Sequence, residues 1–103
     1  MPRLTQAQRK RLRDKADKAD SIACAERANQ RCELCGVYCE SPYGENHHDI
    51  RRHITAHRHN PANHSWLCCK DHRWAHDNYA EGRFEMDIIR TQRGDTLATR
   101  EES

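Results

Sequence analysis

The sequence predicts a small α+β domain held together partly by metal. Three observations lead there. The first thirty residues carry helix-forming side chains behind a capping signal, a Cys-x-x-Cys-Gly turn follows at Cys32-Glu33-Leu34-Cys35-Gly36, and a second helical stretch near residue 70 gives way to alternating apolar residues. The 103 residues are 35% hydrophobic and 33% charged, with a single Phe. A chain this short and polar has little apolar surface to bury, and such domains commonly recruit cross-links or metals. Six Cys and eight His are present for that purpose.

Thr5 and Gln8 form a capping-box pair that opens the first helix. Leu12, Ala16, Ala19 and Ala23 then recur on one helical face, a mostly alanine stripe expected to pack weakly. Asp20 or Ser21 offers a restart for a second helix reaching about Gln30. Beyond the Cys-x-x-Cys turn, whose Gly supplies the needed backbone freedom, come Cys39 and a Ser41-Pro42-Tyr43-Gly44 turn. Residues 49–62 read as a polar basic loop. Trp66 and Leu67 lead into a helix from about Cys69 to Tyr79, broken by Gly82, and Phe84, Met86 and Ile88 alternate as a half-buried strand. The expected divisions are a basic helical arm at 1–30, a body at 31–90 and a loose tail at 91–103.

Net charge is only +2, but it is unevenly placed. Residues 1–31 hold nine Lys/Arg against four Asp/Glu, while the remainder holds nine against twelve. A basic arm on a mildly acidic body fits contact with phosphate. A membrane protein is excluded by the lack of an apolar run near the roughly 20 residues that cross a bilayer. No apolar stretch follows the basic N-terminus as a secretory signal would require, so a cytoplasmic location is expected. In that reducing setting the Cys read as metal thiolates.

His72 and His76 lie four apart on a predicted helix, so both imidazoles project from one face. The adjacent pair His47-His48 sends its rings in different directions, which lets one bind a metal while the other meets a substrate. Three neutral imidazoles with open positions suit a divalent Lewis acid. His53, His57, His59 and His64 read as surface or phosphate-neighbouring groups. Arg51, Arg52 and Arg58 in the same loop are candidates for backbone contacts with DNA.

The ordered set Cys32-Glu-Leu-Cys35-Gly, His47-His48, Asn63 and Leu67-Cys68-Cys69-Lys70-Asp71-His72-Arg-Trp-Ala-His76 resembles the HNH (His-Asn-His) endonucleases, over roughly residues 31–80. The resemblance implies a ββα-metal (His-Me finger) nuclease core with a zinc knuckle in residues 31–90, preceded by the basic N-terminal helix. It implies that His48 is the general base, that Asn63 fixes the loop and orients the His48 ring, and that His47, His72 and His76 hold one divalent ion against the scissile phosphate. Mg, Mn, Zn and Ni are all candidates for that ion. A second, structural zinc is expected on Cys32, Cys35 and Cys68. Its fourth ligand is Asp71, at the position where the family has Cys or His, with Cys39 as the alternative. DNA is the implied substrate, cut with little base specificity. Small members of this kind are often phage-encoded, and some work with a terminase that packages DNA. The competing reading is a non-catalytic zinc module that binds nucleic acid or a partner protein.

Overall fold

The computed structural model describes residues 3–95. Four helices and one two-stranded antiparallel sheet make a mixed α+β architecture: α1 (Gln6–Arg27), β1 (Gly44–His48), α2 (Thr55–Arg58), β2 (His64–Cys68), α3 (Cys69–Asp77) and α4 (Tyr79–Arg93). A 3-10 turn at Pro61–Asn63 precedes β2. None of the helices among the described residues is long and apolar enough to cross a membrane.

The expected capping box is present: the Thr5 side chain accepts from the Gln8 amide, and the Gln8 side chain accepts from the Thr5 amide. The expected break at Asp20 or Ser21 is absent, and α1 runs unbroken through Arg27. Asp20 caps nothing because its carboxylate is spent on the His59 ring, 2.6 Å away. The inward face also differs from the alanine stripe, with Leu12 left 55% exposed. The face turned to the body carries Asp17, Asp20, Cys24 and Ala28. Its first half is polar because Arg58 and His59 lie opposite: Arg58 Nε donates to Asp17 at 2.9 Å. The basic arm is therefore docked along its C-terminal half, with Cys24 and Ala25 in the core.

Strands β1 and β2 pair in a register that sets Glu45 opposite Leu67, His47 opposite Ser65 and His48 opposite His64. Trp66 and Leu67, consecutive in β2, point to opposite faces. Trp66 lies beside α1, where its indole N–H donates to the Cys39 carbonyl at 2.8 Å. Leu67 is fully buried, in one apolar cluster with Ala75, Met86 and Ile89. Both faces of so small a sheet are thus covered, and four of the five residues in β2 are buried.

The expected strand at residues 84–88 is a helix. Gly82, Met86, Ile89 and Arg90 fall on one face of α4 and are all buried, whereas Phe84 is 64% exposed. Alternation over three apolar residues was a weaker signal than the i, i+4, i+7, i+8 spacing that overlapped it. Gly82 does not break the helix; it permits close packing. A Cβ there would lie 2.9 Å from the Ala75 carbonyl oxygen, so α3 and α4 can approach only with glycine at that place. The chain turns at Asn78, between these helices. Most of the tail expected at 91–103 lies outside the described residues, and its first three residues complete α4.

Candidate metal and catalytic centre

The Cys32–Cys35 turn folds locally. Gly36, at φ +82°, returns its amide to the Cys32 carbonyl at 2.8 Å, and the Cys35 amide points at the Cys32 thiol. The end of β2 and the start of α3 bring Cys68 and Asp71 to the same place. One donor atom each from Cys32, Cys35, Cys68 and Asp71 lies within 4.8 Å of the others, so this group could hold a metal ion. Asp71 accepts from the Cys32 thiol at 3.1 Å, and Cys35 and Cys68 sulfurs are 3.9 Å apart. Hydrogen bonding to Asp71 pushes the Cys35 thiol up to about 12, so without a cation the cluster keeps its protons around one carboxylate. Thiolates and a carboxylate in this arrangement suit a cation that replaces those protons. Cys39 stays outside the group, buried beneath Trp66, and exposed Cys69 points to the Pro42 carbonyl.

A second group forms across β1 and α3. His47, His72 and His76 also converge within 4.8 Å, and the His72 and His76 Nε2 atoms face each other at 3.1 Å. The four-residue spacing on α3 aligns those two rings, and strand alternation turns His47 toward them. Two observations fit a cation here. His47 Nδ1 is buried without a hydrogen-bond partner. On the far side of His72, Nδ1 lies 3.3 Å from the Glu45 carboxylate, at ion-pair distance, while Nε2 turns toward the group. Burial, reinforced by the neighbouring imidazoles, pushes His47 down to about 3, so it is a neutral donor at physiological pH.

His48, next in β1, faces the other way. Its Nε2 lies 3.1 Å from the Arg58 carbonyl oxygen. A carbonyl can only accept, so Nε2 carries the hydrogen and Nδ1 keeps its lone pair. The same oxygen takes a second bond from His64 Nε2 at 2.7 Å, and the two rings stand edge to face at 4.6 Å. Burial, then the nearby His64, holds His48 down to about 4. His64, expected at the surface, is 2% exposed. No sequence spacing marked it, because its partner is a backbone oxygen six residues away.

Asn63 is buried and ties the loop by three bonds. Its side-chain oxygen accepts from the Ile50 amide at 2.6 Å, and its NH2 donates to the Ile50 and His57 carbonyls. All three go to loop backbone; the His48 ring itself is held by Arg58. Asp49, one residue beyond His48, is 2% exposed and paired with buried Arg90. Arg90 also donates to the Ala62 carbonyl at 2.9 Å, so α4 grips both ends of the loop that Asn63 closes.

A cleft of about 640 Å³ collects His48, His72 and His76 with Arg51, Arg52 and Glu45 along its walls. Arg51 lies over the Tyr79 ring, 4.9 Å from its centroid. Of the three candidate arginines, Arg58 is placed elsewhere, its guanidinium committed to Asp17. Glu45 and the Arg58 carbonyl are the site groups that sequence reasoning missed. Glu45 was legible as the residue two before His47 on an alternating strand. A backbone oxygen has no sequence signature.

Searches against protein-family models, curated proteins and solved structures gave no match.

Proposed function

We propose that this protein is a metal-dependent endonuclease of the HNH type, hydrolysing phosphodiester bonds of DNA. The observation that carries the reading is the division of labour across β1. His47 joins His72 and His76 in a three-imidazole group, while His48 is held separately by the Arg58 carbonyl, and His48, His72 and His76 line one cleft. The succession β1, β2, α3 supports a ββα-metal core.

His47, His72 and His76 would hold a divalent cation, with the Glu45 carboxylate behind His72 Nδ1. Such an ion supplies Lewis-acid stabilisation of charge on a scissile phosphate. His48 takes the proton of the attacking water on Nδ1, the nitrogen that its bond to Arg58 leaves free. Its low proton affinity keeps it unprotonated at neutral pH, and an anionic phosphate drawn alongside raises that affinity toward the range useful for a base. The acid limb of activity then falls lower than the value near 6.5 of an unperturbed imidazole. Asn63 and Arg90 hold the loop that presents the Arg58 carbonyl. Arg51 and Arg52, in the cleft wall, are placed for phosphate oxygens.

The Cys32, Cys35, Cys68 and Asp71 group is assigned to a structural zinc. That group also favours a second reading, a zinc module without catalysis, and His48 separates the two because such a module has no task for it. Supercoiled plasmid with Mg²⁺ or Mn²⁺ is the test. The wild type nicks it, and His48→Ala loses about 10²–10⁴-fold in rate with unchanged metal content. Full-strength nicking by His48→Ala would remove the assigned base.

A further inference from the structure

Beside the cleft lies a smaller cavity of about 230 Å³, between α1 and the turn at Ser41. The two share Ser21, Ser41 and Trp66 in their walls, so they adjoin. Its remaining lining includes Ile22, Ala25 and Gln30, with Lys18 and Glu26 at the helix face. Ile22 is 52% exposed, an apolar side chain standing beside a catalytic cleft.

We propose that this pocket takes one unstacked nucleobase next to the scissile phosphate, so that the protein cuts unpaired strands in preference to duplex. The inference rests on the endonuclease reading and adds its substrate class. Size comes first: the volume is enough for a heterocyclic base. Chemistry agrees. Apolar walls from Ile22, Ala25 and the Trp66 ring suit a flat ring, and the Ser21 and Ser41 hydroxyls, which have no hydrogen-bond partner among the described residues, can meet its edge. A base stacked in a duplex cannot enter while its phosphate sits at His48; it must leave the stack, which costs least in a strand already single.

The experiment uses the full chain with Mn²⁺, a single-stranded oligonucleotide, the same strand fully paired, and a single strand carrying abasic sites. Ile22→Trp fills the pocket and touches neither metal group. Wild type should cut the single strand at least about tenfold better than the duplex, measured as kcat/KM. Ile22→Trp should lose about that factor on the intact single strand, with duplex cleavage and zinc content unchanged. Abasic positions at the cut should erase the difference between wild type and variant. Equal cleavage of both substrates by the wild type, or an Ile22→Trp profile identical to it, overturns the pocket while leaving the nuclease. A wild type that cuts no substrate removes the endonuclease reading itself, and the pocket assignment falls with it.

Discussion

Replacing Arg90 by Met should destabilise the protein more than any single change on its surface. Arg90 and Asp49 are 7% and 2% exposed, so the substitution leaves a carboxylate facing the interior without its main partner. Breaking a buried pair from one side typically costs about 3–5 kcal/mol. Arg83 softens this: its Nε lies 3.4 Å from the other Asp49 oxygen, at ion-pair distance though without hydrogen-bond geometry, and its side chain is 44% exposed. The Ala62 carbonyl also loses a donor, which adds about 1 kcal/mol. The expected loss is about 3–4 kcal/mol, or a Tm lower by on the order of 12–32 °C at this chain length. Replacing both partners, Asp49→Leu with Arg90→Met, should recover at least about 2 kcal/mol, because no charge is then stranded. Urea unfolding of the four proteins, metal-loaded throughout, gives the coupling directly. An Arg90→Met loss under about 1 kcal/mol, or a double variant no more stable than that single one, would refute a buried, mutually dependent pair.

Other expectations concern the metals and protonation. Asp71→Ala should lower zinc affinity at least about tenfold and Asp71→Cys should restore it, measured as zinc retained after dialysis. If Asp71→Ala keeps its zinc while Cys39→Ser loses it, Cys39 is the fourth ligand. Glu45→Ala should weaken Ni²⁺ binding by about 10–100-fold in calorimetry on zinc-loaded protein, and Glu45→Gln by less, since the amide keeps an oxygen beside His72 Nδ1. Unchanged affinity in Glu45→Ala would show that His72 needs no support from Glu45. Stability should also depend on pH. Burial lowers His64 in the folded state, and His48 to about 4, whereas both protonate near 6.5 when unfolded. Between those values the unfolded chain binds more protons, so stability is full above pH 6.5 and declines as pH falls toward 4. Thermal melts across that range should show the decline, and His64→Phe should flatten it; equal slopes would remove His64 as a cause.

Local chemistry was readable in the chain. The Thr5–Gln8 box needs only three residues of spacing, the Cys32–Gly36 turn only five, and His72 with His76 only a helix. The grouping of Cys32, Cys35 and Cys68 with Asp71, and of His47 with His72 and His76, was expected from the family resemblance, and each set of donor atoms converges in the structure. What failed were the inferences about which face of an element turns inward and what it meets there. Phe84, Met86 and Ile88 alternate, yet the buried face is the helical one of Gly82, Met86, Ile89 and Arg90, with Gly82 against α3. The alanine stripe of α1 looked like its packing face, but Arg58 and His59 drew Asp17 and Asp20 inward in its place. Burial of His64, pairing of Asp49 with Arg90 and the hold of the Arg58 carbonyl on His48 are contacts across six to forty-one residues, two of them made by backbone oxygen. Side-chain identity and spacing determine which groups a segment can offer. Only packing decides which face is desolvated, and with it which histidine stays neutral and which nitrogen is free to take a proton.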